Sequence, residues 1–359
     1  MKIIIKHRLL LKFQKLLRQH RKIILIISAI LIIFAGFLSA YIISLQKPVK
    51  KPIVVKTVKP EPIKYYSLLT GNQVSNKNAI KKPITGIMIE NSPDARPQSG
   101  LKNSEVVFEA IAEGGITRFL VFYQQKNPKL IGPVRSIRLY DVEWLAAFNA
   151  SIGHVGGSAA ALREVRNGNY RDNDQFFNSG SYWRATDRYA PHNVYTSFDK
   201  LDALNKSKGY TTSTFTSFSR KDGKPSKKPN ATSLNINISG YLYNSSYIYD
   251  KTSNSYKRFQ AGEAHLDRED GQIKPSVIIA LRVDMENTLE DGYRENITTI
   301  GKGEAIIFQD GTAIEATWHK AGRLSQITFT DESGNDVPLV RGQTWISAVP
   351  NGSGDVTWE

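Results

Sequence analysis

Between Glu109 and Ser158 the chain gathers the residue types that perform chemistry: Glu109 and Glu113, Arg118, Arg135 and Arg138, His154 and Ser158. Glycan hydrolysis needs two carboxyls about 5–9 Å apart, one on each side of the scissile bond. Glu109 and Glu113 are four residues apart and would share a face if helical, so Glu113 is the candidate acid/base. The competing expectation is a structural network of Glu113 with Arg118, Arg135 or Arg138. His192 is the second catalytic candidate. Ser158, with His192 and Asp187, could form a serine nucleophile set at a Gly156-Gly157-Ser158 turn. The nucleophile-elbow pattern G-x-S-x-G fails at Ala160, however, and a serine before an apolar helix is a natural N-cap.

Arginine forks suit carboxylate and phosphate. Arg135 and Arg138 flank Ser136 just after Gly132-Pro133, and Arg96, Arg118, Arg184 and Arg188 add guanidinium to the same half. Together they could line a pocket for an anionic glycan, a phosphate or a peptide carboxylate, with internal salt bridges as the rival expectation. His154, Ser158 and Asn193, which follows His192, complete the set of ligand candidates. A His154–His192 pair with Asp187 is a conceivable metal site, but no H-x-x-x-H spacing supports it. No metal and no cofactor is assigned. Five tyrosines between Tyr241 and Tyr256 could stack on sugar, although strand propensity explains them more simply.

These residues must be held by elements, and the chain divides plainly. The formal net charge is +15 over 359 residues. Eight Lys/Arg and no acid fall in residues 1–22, and six Lys against Glu61 alone in residues 46–64, so only two positive charges remain for the rest. The basic excess flanks a membrane segment, which disfavours nucleic acid as a partner. Ile23 to Leu45 carries no charge and at 1.5 Å per residue spans roughly 34 Å, enough to cross a bilayer. It is too long for a signal-peptide core, and Leu38-Ser39-Ala40 is a poor cleavage site. An uncleaved anchor is expected, with the 1–22 arm cytoplasmic and everything after residue 46 outside by the positive-inside bias. Residues 46–64, rich in Pro and Lys, read as an extended tether.

Beyond the tether, residues 65–205 read as an α/β domain. Strands are expected at 83–90, 116–123 and 150–155, and helices at 140–149 (capped by Asp141), 159–165 and 197–204. Residues 104–111 fit helix or strand, and 167–190 read as a long ordered loop. Residues 206–233 look like a linker or long exposed loop. Residues 234–359 read as mainly β, with Asp310-Gly311 as a hairpin turn. The chain contains no cysteine, which excludes disulfides, a thiol nucleophile and a lipid-modified N-terminal cysteine.

Several motifs, taken in order, resemble one family. They are Asp94-Ala95-Arg96-Pro97-Gln98-Ser99-Gly100-Leu101, Glu113 to Phe119, Ile131 to Arg138, His154 to Ser158, Ala190 to Tyr195, Tyr256-Lys257-Arg258-Phe259, and Gly311 through Trp318-His319-Lys320. Across about residues 65–350 the chain is similar to the YerB-like bacterial envelope proteins, domain of unknown function 3048. That resemblance implies a surface-exposed envelope protein, often a lipoprotein in Gram-positive bacteria, associated with cell-wall synthesis, and brings no settled activity. This chain departs from the lipoprotein pattern by lacking the cysteine.

The sequence therefore leads to the expectation of a membrane-anchored extracytoplasmic binding or scaffold module. Its expected partners are the lipid bilayer, through residues 23–45, and wall polymer or wall-synthesis enzymes. The alternative is an envelope glycan hydrolase or lytic transglycosylase using Glu113.

Overall fold

The structure, a computed structural model, describes residues 2–46, 63–287 and 295–359. The expected tether falls almost wholly outside the described residues. Two helices open the chain, α1 (Lys2–Gln19) and α2 (Arg21–Leu45). The second is apolar on every side, with no buried residue, and is long and apolar enough to cross a membrane.

Residues 63–359 form one compact unit, described here by itself. Its main strands are β1 (Thr85–Glu90), β2 (Val106–Glu113), β3 (Ile116–Tyr123), β4 (Ser151–His154), β5 (Arg171–Asp174), β6 (Ser233–Asn237), β7 (Ser245–Asp250) and β8 (Ser255–Gln260). They continue as β9 (Glu263–Ala264), β10 (Val277–Val283), β11 (Gly301–Gln309), β12 (Thr312–Lys320), β13 (Thr328–Thr330), β14 (Thr344–Pro350) and β15 (Asp355–Trp358). Its longer helices are α3 (Leu139–Ala146), α4 (Ala159–Asn167) and α5 (Phe198–Ser207).

Ten strands make one mixed sheet in the order β13-β12-β11-β10-β14-β2-β3-β1-β4-β5. Its centre crosses the expected domain boundary. β14, near the C-terminus, pairs in parallel with β2 through Thr344↔Val106, Trp345↔Val107 and Ile346↔Phe108. The strands do not divide into an α/β half and a β half. The fold is mostly β around a large mixed sheet drawn from both segments. Residues 206–233 are likewise no free linker: Arg220–Lys221 pairs with Leu339–Val340, and Ser213, Phe218 and Ala231 are buried.

Both faces of the sheet are covered, which explains why β1, β2, β10 and β14 read as near-continuous apolar runs rather than alternations. Phe108, Phe122 and Ile152 pack with Tyr140, Trp144 and Leu145 of α3 on one face. On the other, Ile87, Val121 and Trp345 pack with Phe198 and Leu201 of α5. Ile278, Ala280 and Phe308 meet Leu234, Ile236, Tyr247 and Tyr256 of a second, five-stranded sheet ordered β9-β8-β7-β6-β15.

Local chemistry sets the turns. Gly114-Gly115 between β2 and β3, and Asp310-Gly311 between β11 and β12, all adopt positive φ, the requirement of a two-residue type I′ hairpin turn. Two expectations shift. Asp141 is not the cap of α3: it sits three residues in, and its carboxylate accepts the Arg138 backbone N–H at 2.7 Å. The 167–190 segment contains β5, which pairs in parallel with β4 across α4.

Candidate functional site

β1, β2, β4 and β5 run in the same direction, and each ends on a chemically active residue: Glu90, Glu113, His154 and Asp174. The carboxyl edge of such strands is where open sheets bind ligands. Across this edge runs the Gly132–Arg138 segment. The Glu90 N–H donates to Pro133 O and the Arg135 N–H to Met88 O, both at 2.9 Å. The Ile137 N–H donates to Gly156 O and the Ser158 N–H to Ile137 O. This lacing delivers Arg135 and Arg138 to the strand ends.

The candidates then separate into distinct clusters. Glu113 is ion-paired with both Arg118 and Arg138, and Arg138 Nε lies 3.1 Å from its Oε2. Burial works against the charge on Glu113, but the two arginines outweigh it and hold the carboxyl below its usual range. A carboxylate clamped in this way is a poor proton donor. Glu109 does not share its surroundings. A register shift between Ile111 and Glu113 breaks the two-residue alternation of β2, and Glu109 enters the core instead. Both Glu109 and Arg258 are fully buried and paired at 3.0 Å. Glu109 also accepts from Trp345 Nε1 at 2.9 Å, while the Arg258 guanidinium lies 4.2 Å from the Trp345 ring centre. Arg258 Nε donates to His265 Nδ1, and Gln98 Oε1 lies 3.0 Å from His265 Nε2. Burial first, and the Arg258 charge second, keep the His265 pKa well below its ordinary value. This core network joins the N-terminal motifs to the C-terminal ones.

His154 is buried with Nδ1 2.8 Å from Gly156 O and Nε2 2.9 Å from Asp172. Ser158 caps α4, accepting the Ala161 N–H at 3.3 Å. Asp187 pairs with Arg268. The Ser158–His192–Asp187 and His154–His192–Asp187 sets are therefore not assembled, and among the described residues no group of three or more His, Asp or Glu is placed to hold a metal.

The third cluster faces solvent. Trp183–Arg184 and Val194–Tyr195 form a short antiparallel hairpin, and its loop carries Asp187, Arg188, Tyr189 and His192. Asn193 closes that loop, donating to Ala185 O and Arg188 O and accepting from Arg184 Nη1 at 2.7 Å. Opposite lies the turn at residues 90–98. His192 Nδ1 sits 3.0 Å from Glu90 Oε1 and 3.3 Å from Ser92 Oγ, while Nε2 is 3.9 Å from Asp94. Because Ser92 and Glu90 meet the same ring nitrogen, the three do not form a serine relay, in which the histidine bridges through opposite nitrogens. Arg135 Nε lies 3.4 Å from the second Glu90 oxygen, and neither atom makes a hydrogen bond among the described residues.

A cleft of about 690 Å³ opens between loop and turn, lined by Asp94, Arg96, Asp187, Arg188, Tyr189, Ala190, His192 and Arg268. Arg96 donates to Asn91 O and Leu242 O, both at 2.7 Å, and to Asn91 Oδ1. Arg188 donates to Asp94 O and Pro97 O. Neutral acceptors thus fix both guanidinium groups in place, and among the described residues neither forms an ion pair. Arg118, Arg138 and Arg258 are neutralised by glutamates; Arg96, Arg184 and Arg188 are not.

Of the ligand candidates, Arg96, Arg188 and His192 line this cleft and Arg184 and Asn193 bond within its loop, while Arg118, Arg135, Arg138, His154 and Ser158 are not among its lining residues. The sequence reading missed Glu90, Arg258, Arg268 and Trp183. Glu90 had a signal, a lone charge ending an apolar run. Arg258 had one too, since strand alternation sets it on the buried side with Tyr256.

Comparison with known proteins finds a family for both segments of the chain. The family descriptions "Protein of unknown function (DUF3048) N-terminal domain" and "Protein of unknown function (DUF3048) C-terminal domain" match residues 69–211 and 234–346. A Bacillus subtilis (strain 168) protein named "Putative lipoprotein YerB" is 32% identical over 289 residues, covering 79% of this chain and 86% of that one. The crystal structure of YerB from Bacillus subtilis superposes with a TM-score of 0.72 at 29% identity, covering 82% of this chain and 99% of that one.

Proposed function

The chain belongs to the DUF3048 family, and from that premise we propose that it is a membrane-anchored, extracytoplasmic binding or scaffold protein of the bacterial cell envelope. In this reading α2 spans the membrane once, the basic arm stays in the cytoplasm, and the arginine-lined cleft faces anionic wall polymer or the enzymes that build it. The observation that carries the reading is the pair of guanidinium groups, Arg96 and Arg188, held by backbone carbonyls and forming no ion pair among the described residues. Positive charge fixed in excess at a cleft is a pre-organised anion site. The apolar N-terminal helix and the lipoprotein name of the relative are consistent with membrane association.

Titrating the full chain in detergent micelles with poly(glycerol phosphate) tests it. Saturable binding that weakens with salt is expected, together with a five-fold or greater loss in Arg188→Gln, which retains donors toward the carbonyls. Absence of saturable binding would sink the reading. A hydrolase built on Glu113 finds less support, because its carboxyl is held ionised between two arginines. Release of soluble fragments from peptidoglycan by the wild-type chain but not by Glu113→Gln would reverse that preference.

A further inference from the structure

The hairpin that carries the cationic loop has a second cleft on its flank, about 390 Å³, lined by Leu130, Trp183, Arg184, Ala185, Thr186, Asp187, Tyr195 and Arg268. Asp187 and Arg268 line both clefts, and their ion pair stands where the two meet. The two hollows differ in character. The larger sets Arg96, Arg188, Arg268 and His192 beside two aspartates; the smaller sets an indole and a phenol beside Arg184, Arg268 and Asp187. In the smaller one the buried Tyr195 hydroxyl faces the Arg268 guanidinium, which lines the same cleft.

We propose that the two clefts are subsites of one groove, and that the groove takes a phosphorylated saccharide: the phosphate against Arg96, Arg188 and His192, and the sugar ring against Trp183 beside the Tyr195 hydroxyl. This rests on the reading of the larger cleft as an anion site. Three lines of chemistry select the ligand class. First, four arginines against two aspartates leave the joint lining two positive charges in excess, His192 left aside. A phosphate monoester carries about −1.5 to −2 at neutral pH and matches this better than a single carboxylate. Second, the arginines lining the groove carry more forked donors than the two oxygens of a carboxylate can engage. Third, an aromatic face rimmed by hydroxyl, carboxylate and guanidinium suits a ring that is apolar on its face and polar at its edge. Each hollow separately falls in the volume range of small-molecule sites, about 300–1,000 Å³.

Isothermal titration of the full chain in detergent micelles with N-acetylglucosamine 6-phosphate, N-acetylglucosamine, inorganic phosphate and glucuronate tests the proposal. The sugar phosphate is expected to bind at least ten-fold tighter than inorganic phosphate or glucuronate, with the unphosphorylated sugar weaker still. Trp183→Ala should bring the sugar phosphate down to the level of inorganic phosphate without changing the latter, and Trp183→Phe should restore most of the difference. Thermal melts of both variants establish that each is folded. Equal affinity for sugar phosphate and inorganic phosphate, or for sugar phosphate and glucuronate, overturns the two-subsite proposal and leaves the anion cleft standing. Binding of poly(glycerol phosphate) without binding of the sugar phosphate overturns it in the same way. No binding of any anion overturns both.

Discussion

Glu113 gathers two arginine side chains that are themselves almost fully buried. Removing the carboxylate strands both cations, and breaking a buried pair from one side typically costs about 3–5 kcal/mol. Glu113→Ala should therefore lower the denaturation midpoint by an amount of that order, measured by chemical unfolding, whether or not the residue has a catalytic role. Asp141 gives a signed pH dependence. Burial pushes its carboxyl up to about 7, against the pull of the Arg138 N–H, whereas an unfolded aspartate titrates near ~3.9. Between those values the folded state holds a proton that the unfolded state has released. Stability from this group therefore falls as pH rises from about 4 to about 7 and levels off above. Asp141→Asn, which retains an acceptor oxygen, should gain on the wild type between pH 5 and pH 8 in urea midpoints; a constant difference would refute the assignment. Residue roles were the least legible part of the sequence. Glu113 pairing with Arg118 and Arg138 was one of the alternatives left open, and Ser158 as a cap followed from its position. The Glu109–Arg258 pair was hidden because its partners lie 149 residues apart.

At the scale of elements, the Gly132–Arg138 crossing is what places the arginines, and it depends on close approach to the turn after β4. A Cβ at Gly157 would stand 2.7 Å from Ile137 Cγ2 and 2.8 Å from Ile137 O. Gly157→Ala should cost about 1–3 kcal/mol by overpacking and shift the Arg138 environment, readable as chemical-shift changes confined to residues 135–158. Ser158→Ala, which removes only the cap, should cost about 1 kcal/mol. Most strands and helices were readable, because their apolar runs are long and their ends carry turn chemistry: 116–123 coincides with β3, and 83–90 with β1 to within two residues. β5 was not, since Arg171-Asp172-Asn173-Asp174 has no apolar residue and becomes a strand only by pairing with β4 at the sheet edge. The ambiguity at 104–111 resolved to β2 because both of its edges find partners, β14 and β3.

At the scale of the molecule, the ten-stranded sheet ties residues 69–211 to 234–346 through the β14–β2 ladder. A fragment ending near residue 211 would expose the whole β2 edge, with Val106, Val107 and Phe108 stripped of cover. It should be insoluble when made alone and recoverable when co-produced with residues 212–359, judged by co-purification. A soluble, cooperatively melting fragment would refute the shared-sheet dependence. Sequence periodicity marks individual strands but not which strands become neighbours. The expected contrast of an α/β half with a β half did not appear for that reason, while the family descriptions divide the chain near the expected bounds.

The same ladder has a temporal side. The bond from Trp345 to Glu109 closes a loop of 236 residues, and its donor lies near the end of the chain. At about 5–20 residues per second of synthesis, β2 waits roughly 12–50 s for its neighbour to exist. Arg258 is made after 149 further residues and Trp345 only after 236, and until then the nascent chain presents an unfinished edge. Maturation of this protein is consequently a late event, and whatever holds the growing chain must shield that edge until β14 arrives.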